Sequence, residues 1–209
     1  MGCGDSKSQK NDKNQDKILL KTNVPKSNTD KMEYEIKICL LGDVAVGKTS
    51  IASRFCKNIF NEAYVNTIGG AYQQQTILLD NGVKMKFHIW DTSGDERFKS
   101  MTNLYYRDAQ VAILTYDVTN LQSFEGLQYW LSQLSDKVDK EKMLLFMAGN
   151  KCDVGNDMKQ VSAAKAKEFA EENHMFFFET SAKTGTGIKD LFKTIALKEY
   201  EFLKKPNSS

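Results

Sequence analysis

The sequence predicts an α/β fold of three layers: a mostly parallel six-stranded sheet with helices on both faces. Three observations carry that prediction. Short apolar runs of buried-strand type alternate with longer segments of helical periodicity along residues 34–203. The first run, 36–41, passes through a glycine loop directly into a helical pattern. The polar motifs each stand just beyond an apolar run, where open α/β sheets bind their ligands.

The elements read off in order. Residues 36–41 form the first strand. Residues 48–57 carry Ile51, Ala52, Phe55 and Cys56 at the spacing of a core-facing helix stripe. The stretch 58–70 is polar and aperiodic, a loop. Residues 73–79 and 84–90 are strand-like, and Asp80-Asn81-Gly82 between them holds an Asn-Gly hairpin signal. The runs 111–116 and 143–148 are apolar throughout, as parallel strands buried on both faces require. Helices are predicted near 122–137, 161–173 and 187–203. The last carries Ile188, Leu191, Phe192, Ile195 and Leu203 on one side.

Composition bounds the function. A chain of 209 residues has room for one domain with appendages. A net charge of +2 gives no argument for a nucleic-acid partner. Cysteines stand at 3, 39, 56 and 152 without metal-ligand spacing, which points to a reducing compartment. No apolar run approaches the ~18 residues of a membrane span. The polar N-terminus lacks the apolar core of a secretory signal.

Residues 1–33 differ from the rest, being rich in Lys, Asp, Asn, Gln and Ser with one apolar patch at Ile18-Leu19-Leu20. So little apolar surface does not offset chain entropy, so a disordered tail is expected. It opens Met1-Gly2-Cys3-Gly4-Asp5-Ser6, in which Gly2 and Ser6 fit the N-myristoylation pattern. One myristoyl chain anchors weakly, with K on the order of 10⁴ M⁻¹, so a second signal is needed. Cys3, as a palmitoylation site, is the expected one. Acidic Asp5, Asp12 and Asp16 dilute the nearby lysines.

The chemistry concentrates in four motifs. Gly42-Asp43-Val44-Ala45-Val46-Gly47-Lys48-Thr49 is a P-loop pattern set between strand and helix. Backbone N–H groups over this loop and Ser50 are expected to wrap a phosphate, aided by the helix N-terminus. Lys48 is placed to reach the β- and γ-phosphates, and the Thr49 hydroxyl to bind Mg²⁺. Asp91, beginning Asp91-Thr92-Ser93-Gly94, is a carboxylate at a strand end suited to Mg²⁺. Asn150-Lys151-Cys152-Asp153 places Asp153 to accept from the two adjacent donors of guanine, an arrangement adenine lacks. Ser181-Ala182-Lys183, after the run Phe176–Glu179, is expected to support the base from the other side.

With these residues the chain resembles the small GTPases of the Ras superfamily over about residues 34–203, in the three-layer P-loop NTPase fold. Trp90 to Phe98, Tyr105-Tyr106-Arg107 and Tyr116-Asp117-Val118-Thr119 resemble Rab signatures. Thr67-Ile68-Gly69-Gly70-Ala71-Tyr72 resembles the Rab effector loop, in the N-terminally acylated early-endosomal subgroup. The resemblance implies that Phe60 packs on the guanine and that Tyr64 joins the nucleotide contacts. It implies that Thr67 closes on Mg²⁺ and the γ-phosphate, and that Gly94 donates its N–H there. Residues 60–72 and 92–107 are the implied switches, read by effectors, an exchange factor and an activating protein. The implied molecule is a monomer on the cytoplasmic face of endosomal membranes, with the plasma membrane as the other candidate, acting in vesicle traffic.

The chain departs from that family at three places. Asp95 stands where a glutamine usually orients the attacking water; it is one methylene shorter, lacks the N–H₂ donor, and is expected to face the phosphates with its charge. Val44 is a β-branched residue where Rabs carry a small one, and is expected to crowd the γ-phosphate. Both point to slow hydrolysis and a long-lived GTP state. The tail 204–209 has no cysteine, so the usual Rab prenylation is not expected and the Gly2/Cys3 reading gains weight. A hydrolysing switch and a hydrolysis-poor, GTP-bound scaffold are both compatible with these residues. An ATPase is disfavoured by Asn150, Lys151 and Asp153.

Overall fold

The computed structural model describes residues 32–63, 65–95, 97, 102–135 and 143–204. The expectations for residues 1–31 with Gly2 and Cys3, for Tyr64 and for residues 205–209 lie outside the described residues, whereas Glu33, expected in the disordered tail, opens the first strand by pairing with Lys84.

A six-stranded sheet runs β2-β3-β1-β4-β5-β6. Its strands are β1 (Glu33–Leu41), β2 (Gly70–Leu78), β3 (Lys84–Thr92), β4 (Val111–Asp117), β5 (Leu144–Asn150) and β6 (Phe176–Glu179). Only β2 runs antiparallel, against β3; every other pairing is parallel. The helices are α1 (Lys48–Lys57), α2 (Thr102–Tyr106), α3 (Leu121–Glu125), α4 (Leu127–Ser135), α5 (Ala163–Glu172) and α6 (Ile188–Leu203). The predicted mostly parallel, two-faced α/β architecture is therefore the observed one.

Side-chain alternation along the strands splits the core in two. Ile36, Ile38 and Leu40 of β1 pack with Ile51 of α1 and with Leu191, Phe192 and Ile195 of α6. Cys39 and Leu41 of the same strand point the other way, to Leu127 and Trp130 of α4 and Ala166 of α5. Strand β4 is buried at every position because helices cover both its faces. Phe55 stacks on Phe192 with ring centroids 3.7 Å apart, joining α1 to α6.

Periodicity located most elements, and the differences have physical causes. The helix predicted at 122–137 is two helices, parted at Gly126. Asn120 caps α3, its side chain accepting from Ser123 N at 3.2 Å. Strand β2 begins at Gly70, not at 73, because Gly70 and Ala71 pair with Thr92 and Asp91 of β3. Pairing registers of this kind leave no trace in apolar spacing. Helix α2 was not anticipated; its five residues are too short to show a period. The β2–β3 hairpin turns through Asp80, Asn81 and Gly82, with Leu79 N donating to Val83 O at 2.9 Å. Only Gly82 of the three has positive φ, so the turn is the three-residue type and not a two-residue Asn-Gly turn.

Candidate functional site

The carboxyl ends of β1, β3, β4 and β5 lie at one edge of the sheet, where Thr92 of β3 and Asn150 of β5 help line a cavity of about 530 Å³. At one end it is lined by Val44, Ala45, Gly47, Lys48, Thr49 and Ser50. At the other stand Asn150, Lys151, Asp153, Ala182 and Lys183. Phe60, Thr67 and Gly94 line it as well.

The glycine loop is held open by its own contacts. Lys48 donates through Nζ to the carbonyls of Gly42 and Asp43, both at 2.7 Å. Lys48 is 5% exposed, and burial lowers its pKa to about 8, with Asp91 and Asp43 opposing that shift. An arriving phosphate would favour the charged form. Gly47, at φ +99°, precedes α1 without any side-chain cap, so the N–H groups of the first turn face the cavity. A Cβ at Gly47 would lie 2.2 Å from Asn150 Nδ2, so this position admits no side chain. Asp43 and Val46, expected among the phosphate-facing residues, do not line the cavity. The Val46 carbonyl accepts from Asn150 Nδ2 at 2.9 Å. The Asp43 carboxylate accepts from Trp130 Nε1 at 3.0 Å.

Thr49, Thr67 and Asp91 converge. Thr49 Oγ1 donates to Asp91 Oδ2 at 2.6 Å and lies 2.7 Å from Thr67 Oγ1. Asp91 is fully buried, and burial raises its pKa against the opposing effects of Thr49 and Lys48. Its other oxygen, Oδ1, is buried without a hydrogen-bond partner. Two hydroxyls and a carboxylate with a free buried oxygen fit a hard cation that keeps waters and takes phosphate oxygens. When bound, Mg²⁺ would neutralise phosphate charge there, and Thr49, Thr67 and Asp91 are the residues that would hold it. Among the described residues no cluster of three His, Cys, Asp or Glu offers another metal site.

The end of the cavity at Asn150 and Asp153 rests on a second network. Ser181 Oγ donates to Asp153 Oδ1 at 2.6 Å, fixing the carboxylate. Ser181 itself is buried and does not line the cavity. Asn150 Oδ1 accepts from Ala182 N at 3.2 Å while its amide holds the glycine loop, so one side chain joins both ends of the site. Lys151 sits at φ +66° and pairs through Nζ with Asp117 Oδ2 at 2.5 Å. Asp117 is fixed in turn by Thr119, whose N and Oγ1 donate to Oδ1 at 2.9 and 2.7 Å. Arg54 donates to the carbonyls of Ala182 and Lys183 at 2.7 and 2.8 Å. Sequence reading assigned no site role to Asp117, Arg54 or Trp130. The signals for Asp117 are its position at a strand end and its place in Tyr116-Asp117-Val118-Thr119.

Lys183 pairs with Glu62 at 3.3 Å across the cavity mouth. Asp95 departs from expectation. Its carboxylate does not line the cavity. Oδ1 accepts from Arg97 N and Nε at 2.9 and 3.0 Å, and Oδ2 from Nε and Nη2 at 3.1 and 2.7 Å. These Arg97 contacts lower its pKa to about 2, with a smaller contribution from a hydrogen bond to Asn66. A neighbouring guanidinium offers a bidentate partner, whereas a phosphate would repel the same carboxylate.

A model of the Ras family matches residues 37–201. The chain belongs to the Ras family. Its relatives include Rab proteins. It is 46% identical to Ras-related protein RABF2a of Arabidopsis thaliana over 160 residues, 77% of this chain and 78% of that one. It is 42% identical to GTP-binding protein ypt5 of Schizosaccharomyces pombe over 162 residues, 78% and 76% of the two chains. It is 38% identical to Ras-related protein Rab-5B of Plasmodium falciparum over 206 residues, 98% and 96% of the two.

Outside the cavity lining, several apolar side chains are exposed. Ile68 is 82% exposed and Leu104 67%. Tyr72, Trp90 and Tyr105 form a row of rings with centroids 5.3 and 5.6 Å apart. Among the described residues no helix is long and apolar enough to cross a membrane.

Proposed function

We propose that this Ras-family GTPase is a Rab-type switch that binds GTP or GDP with Mg²⁺, hydrolyses GTP slowly, and acts in endosomal vesicle traffic. The observation that carries the nucleotide assignment is the single cavity with Lys48 and Thr49 at one end and Asp153, braced by Ser181, at the other. In this reading Lys48 and the loop N–H groups bind the phosphates and stabilise charge developing on them. Asp153 accepts from the base, Lys151 and Ala182 flank it, and Phe60 packs on it. Residues 60–72 and 92–107 are the surfaces for exchange factor, activating protein and effectors. The half-buried row of Trp90 and Tyr105 with the exposed Tyr72 at its end supports an effector surface.

Slow hydrolysis is supported by the engagement of Asp95 with Arg97, which leaves that carboxylate no free edge for a water. Val44, lining the phosphate end of the cavity and 48% exposed, supports it further by bulk. The same observation favours a second reading, in which the chain is a long-lived GTP-bound scaffold. Turnover separates the two. Membrane attachment through Gly2 and Cys3 is part of the proposal. It is supported by the N-terminal pattern Met1-Gly2-Cys3-Gly4-Asp5-Ser6. Metabolic labelling with myristate and palmitate analogues tests it, with Gly2→Ala expected to abolish both labels.

The nucleotide assignment is tested by comparing guanine and adenine nucleotides on the full chain. Guanine preference of at least ~10³-fold is expected, since an adenine seated there would cover the Asp153 carboxylate without offering it the two adjacent donors. Asp153→Asn is expected to move preference toward xanthine nucleotides. Retained guanine selectivity in that variant would remove the assigned contact.

A further inference from the structure

Asp43 is the second residue of the glycine loop, yet its carboxylate turns away from the cavity. Oδ1 accepts from Trp130 Nε1 at 3.0 Å. Oδ2 lies against Gly126, the residue that parts α3 from α4; a Cβ there would stand 2.4 Å from it. Trp130 is 1% exposed, so its indole N–H has to find an acceptor inside the fold. The carbonyl of the same Asp43 accepts from Lys48 Nζ at 2.7 Å. One loop residue is therefore fixed to α4 by its side chain and to the phosphate-facing amine by its backbone.

Two consequences follow from that placement. The loop is clamped from both sides, by Trp130 at Asp43 and by Asn150 Nδ2 at the Val46 carbonyl, 2.9 Å away. The carboxylate is also kept pointing away from a site that must accept several phosphate charges. Released, it could turn toward them, and like charges at short range repel. We infer that Trp130 is a positioning residue for nucleotide binding: its indole N–H on Asp43 sets the loop carbonyls that orient Lys48 and holds a negative charge off the phosphates. Gly126 is the residue that makes room for this contact. The inference rests on the reading of the cavity as a nucleotide site.

The experiment measures release of a fluorescent GDP analogue from the full chain at saturating Mg²⁺. Trp130→Phe keeps a ring and loses the N–H; release is expected to quicken roughly 3- to 10-fold, as for one buried hydrogen bond. Asp43→Ala should quicken release similarly, and the double variant should be no faster than the faster single one. Asp43→Asn keeps an acceptor and should recover most of the loss seen in Asp43→Ala. Gly126→Ala should quicken release from the opposite side of the carboxylate. Release at the wild-type rate in Trp130→Phe, or effects that multiply in the double variant, would overturn the inference. Should Trp130→Phe fail to fold, the indole N–H resonance of Trp130 decides: a shift on Asp43→Asn supports the bond, and no shift overturns it. Failure of the wild-type chain to bind GDP would overturn the nucleotide reading instead, and the resonance would still test the contact.

Discussion

Arg97 grips both carboxylate oxygens of Asp95, with Nη2 to Oδ2 at 2.7 Å and Nε to Oδ1 at 3.0 Å. A group so engaged does not orient water in the way a glutamine amide does. Asp95→Gln is expected to raise single-turnover hydrolysis of bound GTP by 10-fold or more, toward a rate on the order of 10⁻⁴ to 10⁻³ s⁻¹. Arg97→Ala should free the carboxylate without supplying an amide, and should raise the rate far less. Equal rates in wild type and Asp95→Gln would leave an ordinary timed switch.

Asp117 and Lys151 form an ion pair with Asp117 almost fully buried. Removing one partner leaves the other uncompensated. Asp117→Ala is expected to speed GDP release by roughly 5- to 30-fold, equivalent to about 1–2 kcal/mol, because half of the pair is solvent-exposed. A stopped-flow release assay checks this, with Asp117→Asn expected between the two.

Asp91 contributes the one buried carboxylate oxygen at the cation position that lacks a partner. Asp91→Asn keeps the shape and removes the charge. Nucleotide affinity in excess Mg²⁺ should fall, while affinity measured in EDTA should change much less. Equal loss under both conditions would show that Asp91 acts on folding and not on the cation.

Glu199 faces the core from α6 at 2% exposure, and burial raises its pKa to about 7 from 4.5. The folded state therefore holds the proton more tightly than the unfolded state. Stability from this group is full below pH 4.5 and is lost as pH rises through 7. Glu199→Gln should leave stability nearly unchanged at pH 4 and raise it at pH 8 by about 1–3 kcal/mol. Denaturant midpoints at the two pH values check this, and an equal shift at both would contradict it.

Local pattern was enough for much of this molecule. The bounds of α1, Lys48–Lys57, follow from apolar spacing after a glycine loop, and β4 from an unbroken apolar run. Thr49 and Asp91 follow from the P-loop pattern and the strand end, whereas Thr67 joins them only through the family resemblance; Thr49 Oγ1 lies within hydrogen-bond distance of both. Periodicity reports which face is buried, and a motif reports which atoms lie together along the chain. Neither reports which distant donor a given lone pair meets. Trp130 reaches Asp43 across 87 positions, and Arg54 reaches the Ala182 carbonyl across 128. Asp95 shows the same limit at close range. Its chemistry could be read from the chain, but its direction depended on where the backbone carried Arg97 and Asn66. The sequence by itself determined the sheet-and-helix architecture and the chemical groups of the site. The tertiary structure decided which carboxylates serve the ligand and which serve the scaffold, because a buried charge turns to the nearest donor that can satisfy it.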